Sequence, residues 1–215
     1  MKKRFSLKLT APQLIIIAFL SLIIIGSLLL WLPVSSADGN SVSYTDALFT
    51  SATSVCVTGL VTLPTATAWS VFGKAVILIL IQVGGLGVIT IMAELMILLH
   101  RKIGIADRML IQDSFNLNTM SGIVKFTKKV VLGTLVVEAI GALLYMTVFV
   151  PEFGVKGIWI SVFNSVSAFC NAGIDIISEN SLCDYALNPA INIVTCMLIV
   201  IGGIGYIVWW DIVRV

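Results

Sequence analysis

Two stretches of the chain repeat one pattern at an offset of 114 residues: Phe49-Thr-Ser-Ala-Thr-Ser-Val-Cys-Val-Thr-Gly59-Leu60 and Phe163-Asn-Ser-Val-Ser-Ala-Phe-Cys-Asn-Ala-Gly173-Ile174. They share a Phe, a Ser, a Cys and a Gly at matching positions, and each lies between two long apolar segments. Proteins line ion paths with backbone carbonyls by placing such a short helix and its Gly-containing loop between membrane-spanning helices. The duplication therefore predicts a cation pore built from repeated units.

The composition is typical of a membrane protein. Apolar residues make up 59% of the chain, charged residues 11%, and the mean hydropathy is +1.08. No charge occurs within residues 9–37, 75–93 or 185–210, and about 20 apolar residues suffice to cross a bilayer core. The first stretch follows four basic residues, as in a signal peptide, but it is too long for one and lacks a clean cleavage site. We expect it to be retained as the first helix.

These stretches predict an all-α integral membrane protein with two helix–pore-helix–loop–helix repeats, that is, four transmembrane helices and two re-entrant pore loops. The expected spans are about residues 12–33, 71–99, 126–150 and 189–212. Two intervening segments, about 45–56 and 157–170, are too short and too polar to cross and are expected to be pore half-helices. We expect Pro33 and Pro151 to close the first helix of each repeat.

The basic residues set the predicted orientation. Of the 13 Lys and Arg residues, only Lys74 and Lys156 fall on one face; the others precede the first span, follow the last, or lie between the second and third. Because basic residues concentrate on the cytoplasmic side, we expect a multi-pass plasma-membrane protein with a cytoplasmic N-terminus. Its expected parts are a cytoplasmic tail (1–11), a first pore repeat (12–99), a cytoplasmic linker (100–125) and a second pore repeat (126–215).

The two loops are the candidate selectivity filter. A dehydrated K⁺ ion needs several oxygen ligands, and backbone carbonyls supply them without a full charge that would hold the ion too tightly. Glycine reaches the required backbone conformations at low cost, and the C-terminal end of each half-helix favours a cation. One Val-Thr-Gly tripeptide could be an ordinary turn, but two copies in the same setting favour a filter formed by Val57, Thr58, Gly59, Leu60, Asn171, Ala172, Gly173 and Ile174.

A second repeated motif lies in the helices that follow the loops. It contains Gly84, Gly85 and Gly87 in the first repeat and Gly202, Gly203 and Gly205 in the second. A nucleotide-binding Gly-rich turn would need a preceding strand and a soluble βαβ unit, and the sequence predicts neither. Glycines inside a spanning helix allow close packing of a neighbouring segment, so we expect these glycines to pack around the pore.

The remaining polar residues indicate no enzyme. Glu138 lies near the middle of the third span, where an ionisable group usually faces protein or water; we favour a helix-to-helix polar tie over direct ion binding. The sequence offers no His/Asp/Glu cluster, no nucleophile with a base and no phosphate loop in context, and the four cysteines lack metal-ligand spacing. We therefore expect no cofactor, no metal beyond K⁺ and no nucleic-acid partner. A non-conducting membrane scaffold or assembly subunit is the alternative function.

The motifs together resemble the Trk/Ktr/HKT superfamily of K⁺ transporters, most of all the membrane subunit of bacterial Ktr systems. The resemblance rests on Asp46-Ala-Leu-Phe-Thr, Val57-Thr-Gly-Leu60, Gln82-Val-Gly-Gly-Leu-Gly87, Ala168-Phe-Cys-Asn-Ala-Gly173 and Gly202-Gly-Ile-Gly205. It implies K⁺ uptake, with the loop glycines tied to K⁺ preference and Na⁺ as a possible activator or coupling ion. It also implies a cytosolic ring of nucleotide-binding regulatory subunits, for which residues 104–121 are a candidate docking surface.

The chain departs from this family in the number of repeats. Family members carry four repeats around one pore, including an interrupted helix that acts as an intramembrane gate, whereas this sequence contains two repeats. The expectation is that it corresponds to the N-terminal half of a transporter subunit. Its pore would then need the missing C-terminal repeats, or a second copy of the chain, for closure.

Overall fold

A computed structural model describes residues 11–87, 90, 123–206, 208 and 209. The described residues form helices and loops without a strand; the only extended pairing among them is a single bridge between Ser36 and Trp69. The predicted linker at 100–125 lies outside the described residues except for its last three, which already belong to the following helix. The N-terminal basic residues also lie outside them.

The helices follow the predicted order. The first repeat consists of α1 (Ala11–Trp31), α2 (Tyr44–Val55), α3 (Thr65–Ala68) and α4 (Val71–Leu86). The second consists of α5 (Ile123–Phe153), α6 (Val155–Phe169) and α7 (Pro189–Gly203), with a short 3₁₀ turn at Ser181–Tyr185 between the last two. The two half-helices, α2 and α6, lie within two residues of their expected positions. The all-α fold class is thus confirmed.

Among the described residues, two helices are long and apolar enough to cross a membrane, over Gln13–Trp31 and Phe126–Phe153. On α1 the exposed side chains include Ile16, Leu20, Ile24 and Leu28, which are 48–57% exposed. Residues four apart lie on one face of a helix, so these four form an apolar stripe. Lipid is the environment that covers such a stripe without a penalty.

The helix that follows the loop in each repeat, α4 or α7, is shorter than expected. As described, α4 has 16 residues and α7 has 15. Gly87 and Gly205 follow them with φ of 84° and 91°, values outside the helical region, and Thr90 and Tyr206 are helical again. The expectation of continuous helices at 71–99 and 189–212 is therefore wrong at these two glycines; residues 91–99 and 210–212 lie outside the described part of the chain.

The expected role of Pro151 is also wrong. Pro33 follows the end of α1 at Trp31, but Pro151 lies inside α5, which continues to Phe153. Pro151 lacks the N–H that would bond to the Thr147 carbonyl, yet the helix continues for two further residues. The turn is made instead by Gly154, whose φ of 60° leads directly into α6.

The two repeats pack by the same contacts. Ser51 Oγ of α2 donates to the carbonyl oxygen of Ile23 on α1 at 2.7 Å, and Ser165 Oγ of α6 donates to that of Glu138 on α5 at 2.7 Å. α4 lies centrally and contacts α1, α2 and α6. It thereby joins the two repeats and brings their half-helices together.

Candidate ion-pathway loops

The two loops after the half-helices share one pattern of positive φ angles. In the first, Val57 and Gly59 have φ of 50° and 78°; in the second, Asn171 and Gly173 have φ of 60° and 65°. The residue between each pair lies outside the positive-φ region. Because an alternating backbone can turn successive carbonyl groups to one side, this arrangement suits a cation path lined by carbonyls.

A hydroxyl on each half-helix holds the end of its loop. Thr53 Oγ1 accepts a hydrogen bond from the Leu60 amide at 3.1 Å, and Ser167 Oγ accepts one from the Ile174 amide at 3.0 Å. Sequence reasoning missed Thr53 and Ser167. The signal that could have found them is their matching position, since both carry a hydroxyl at the repeat offset of 114.

The structure brings the two loops together at their glycines. A Cβ placed on Gly59 would lie 2.7 Å from the Ala172 carbonyl oxygen, and one placed on Gly173 would lie 3.7 Å from the Gly59 Cα. Of the remaining predicted residues, Thr58, Leu60 and Asn171 are exposed, Val57 is half-buried, and Ala172 and Ile174 are buried. The loops thus present backbone, rather than large side chains, to each other.

The glycines of the following helices divide into two groups. A Cβ on Gly84 would overlap the carbonyl oxygen of Val55, and one on Gly202 would overlap that of Phe169, the last residues of the two half-helices. A Cβ on Gly85 would lie 2.5 Å from Cys170 Sγ. These three glycines allow the helices to contact the ends of the half-helices directly.

Gly87, Gly203 and Gly205 do not make this tight contact. A Cβ on Gly203 would have Asn171 at 3.8 Å, and one on Gly87 would have Thr90 at 3.7 Å, which are ordinary distances. Gly205 has no described atom within 4 Å of such a Cβ. Gly87 and Gly205 interrupt their helices, which their positive φ explains, and the packing of these three glycines around a pore stays a prediction.

Glu138 lies behind the second loop with a partner from the other repeat. Its side chain is 5% exposed, and its Oε1 accepts a hydrogen bond from Gln82 Nε2 at 3.0 Å. Cys170 Sγ lies 4.0 Å from the same oxygen. Glu138 is therefore a polar link between α5 and α4 and faces protein rather than lipid.

The segment that follows the second loop is held by hydrogen bonds to two carboxylates. Asp175 accepts hydrogen bonds from the Ile177 amide and the Ser181 hydroxyl, and Glu152 accepts one from the Tyr185 hydroxyl at 2.7 Å. Burial raises the pKa of Tyr185 above its usual value, and the hydrogen bond to the negatively charged Glu152 carboxylate raises it further. In the described part of the chain, no three His, Cys, Asp or Glu side chains gather as a metal site.

The described residues thus form an all-helical protein with two matched units, each made of a helix, a half-helix, a loop and a second helix. Residues 3–214 match the TrkH family, described as a cation transport protein. The chain belongs to this family.

Curated relatives agree with this assignment. The potassium/sodium uptake protein NtpJ of Enterococcus hirae is 43% identical over 99% of this chain and 47% of its own length. The Ktr system potassium uptake protein B of Bacillus subtilis is 39% identical over 96% of this chain and 46% of its own length. The protein of the same name from Vibrio alginolyticus is 33% identical over 99% of this chain and 46% of its own length. The chain spans about half the length of these relatives.

Proposed function

We propose that the chain forms two of the pore-loop units of a potassium uptake protein in the plasma membrane. The carbonyls of residues 57–60 and 171–174 would line the ion path as its selectivity filter. The observation that carries this proposal is the meeting of two identically built loops, in which Gly59 lies against Ala172 and Gly173. Relatives named for potassium uptake support the identity of the ion.

The electrostatics of the half-helices support a cation. α2 and α6 both end immediately before their loops, at Val55 and Phe169. The C-terminal end of a helix carries a partial negative charge of about half an electron. Because each end adjoins one of the two loops that meet at Gly59 and Gly173, both favour a positive ion near the loops without binding it as tightly as a carboxylate would.

Closure of the path needs more than two units. We propose that further repeats, or a second copy of this chain, supply the remaining loops. Two relatives belong by name to a Ktr system, which supports an assembly with partner subunits.

Our finer proposal is a cytosolic nucleotide-binding ring that docks near residues 104–121. We also propose that the N-terminus is cytoplasmic and that Na⁺ is an activator or coupling ion.

Flux through the purified full-length protein in liposomes tests this function. We expect K⁺ influx down an imposed gradient, with K⁺ preferred over Na⁺, and none in protein-free liposomes. The alternative is a non-conducting scaffold. Well-folded, correctly inserted protein that passes neither ion would support that alternative and overturn the transport proposal.

A further inference from the structure

Glu138 occupies a position at which the first repeat has an apolar residue. The two matching Ser-to-carbonyl hydrogen bonds, Ser51 to Ile23 and Ser165 to Glu138, place Ile23 and Glu138 at equivalent points of α1 and α5. The fold therefore accepts isoleucine at this point. Helix packing alone does not explain why α5 carries a carboxyl group there.

The Glu138 carboxyl joins the two repeats through Gln82. A carboxyl group deep in a membrane protein is costly unless it is partnered, and the described partner is the Gln82 amide of α4, at 3.0 Å. Gln82 belongs to the first repeat and Glu138 to the second. Removing the half-buried Gln82 side chain would leave the buried Glu138 carboxyl without this hydrogen bond, and removing Glu138 would leave Gln82 without it.

The same carboxyl oxygen also reaches the start of the second loop. Cys170 Sγ lies 4.0 Å from Glu138 Oε1. A Cβ placed on Gly85 of α4 would lie 2.5 Å from the same sulfur atom. The thiol is thus enclosed between the Glu138 carboxyl and α4. Cys170 directly precedes Asn171, where the loop enters its positive-φ conformation. A shift of Cys170 would therefore move the loop.

We propose that Glu138 and Gln82 form a cross-repeat clamp that fixes the second loop relative to the first and so sets ion selectivity. Glu138 is a positioning residue in this role, since it acts through Cys170 and the loop backbone. α4 is suited to it because Gly84 contacts the end of the first half-helix while Gln82 and Gly85 contact the second repeat. The selectivity part of the inference rests on the proposed ion-transport function.

Thiol labelling tests the clamp without any transport measurement. In the full-length protein with Cys170 as its only cysteine, we expect slow reaction with N-ethylmaleimide. Glu138→Ile, which copies the first repeat, and Gln82→Leu should each raise the labelling rate about tenfold, because a buried hydrogen bond to a charged or polar group is lost. Glu138→Gln keeps an acceptor for Gln82 and should label like the parent.

An exchange of the two side chains separates the clamp from a general packing defect. Gln82→Glu alone sets two carboxyl groups against each other and should label quickly, and the double variant Gln82→Glu with Glu138→Gln recreates the pair in reverse and should restore slow labelling. An unchanged labelling rate in Glu138→Ile, or failure of the exchange to rescue in a protein that folds, would overturn the clamp whether or not the protein transports ions.

Ion competition then tests the effect on selectivity. In liposomes, Glu138→Ile should lower the preference for K⁺ over Na⁺ about tenfold through a changed KM rather than a lost maximal rate, while Glu138→Gln remains near the parent. Asp38→Asn, which changes an exposed carboxyl in the loop between α1 and α2, is the control. Faster labelling with unchanged selectivity would refute the positioning role; absence of flux in the parent would refute the proposed function instead.

Discussion

At the residue scale, Gly59 and Gly39 share a backbone conformation but differ in their surroundings. Their φ values are 78° and 72°, so a side chain at either position is strained. A Cβ on Gly39 would have no described atom within 4 Å, whereas one on Gly59 would approach the Ala172 carbonyl to 2.7 Å. A side chain would be strained at either glycine, but at Gly59 it would also collide with the second loop.

This difference predicts distinct effects of serine at the two positions. In the full-length protein, Gly59→Ser should lower K⁺ preference over Na⁺ at least about tenfold, equivalent to about 1.4 kcal/mol, because it displaces carbonyls and adds a hydroxyl ligand. Gly39→Ser should leave the preference unchanged. Competition of Na⁺ with K⁺ uptake in liposomes measures both. An unaltered ion ratio in Gly59→Ser would place Gly59 outside the filter.

At the element scale, α4 and α7 contact their half-helices through equivalent glycines. Gly84→Ala and Gly202→Ala would each force a methyl group into the carbonyl of Val55 or Phe169. We expect each to lower the free energy of unfolding by about 1–3 kcal/mol, the usual cost of overpacking, although alanine favours helix by about 1 kcal/mol over glycine. Thermal unfolding of the detergent-solubilised protein measures the change.

Gly133 supplies the matched control within α5. A Cβ there would meet Trp209 at 3.6 Å, an ordinary contact, so Gly133→Ala should be neutral or stabilising. Equal stability of the Gly84→Ala and Gly133→Ala proteins would show that α4 can move away from the half-helix without cost, contrary to the packing described here.

The elements also show what the sequence can predict. The half-helices were predictable because a short polar segment between apolar spans has few alternatives. The interruptions at Gly87 and Gly205 were not, since glycine within an apolar run is also compatible with a continuous helix. The Thr53 and Ser167 contacts escaped prediction because a helical hydroxyl commonly bonds to its own helix, as Ser54 does to the Thr50 carbonyl. The Gln82–Glu138 link needs the packing of two repeats, which one sequence does not specify.

At the scale of the whole molecule, the basic residues predict the orientation in the membrane. Cys183 lies exposed in the 3₁₀ turn at Ser181–Tyr185, on the face that the sequence predicts to carry only Lys74 and Lys156 among the basic residues. With the other cysteines replaced by serine, a membrane-impermeant maleimide should label Cys183 in intact cells. A cysteine introduced as Ser121→Cys, with Cys183 also replaced, should be labelled only after lysis. The opposite pattern would invert the topology.

The final prediction concerns these 215 residues expressed by themselves. Two loops border only part of an ion path, and Leu60 and Val61 beside the first loop are 64% and 49% exposed. Unpaired loop carbonyls facing lipid would cost several kcal/mol each, so a monomer should not conduct. We expect a bacterium without K⁺ uptake systems to remain unable to grow at low K⁺ when it expresses this chain, and to grow when it expresses the longer relative NtpJ of Enterococcus hirae at the same membrane level. Growth with the chain alone would instead show that two copies complete the path around a twofold axis, with the two kinds of loop alternating; a dimer on size-exclusion chromatography would accompany that result.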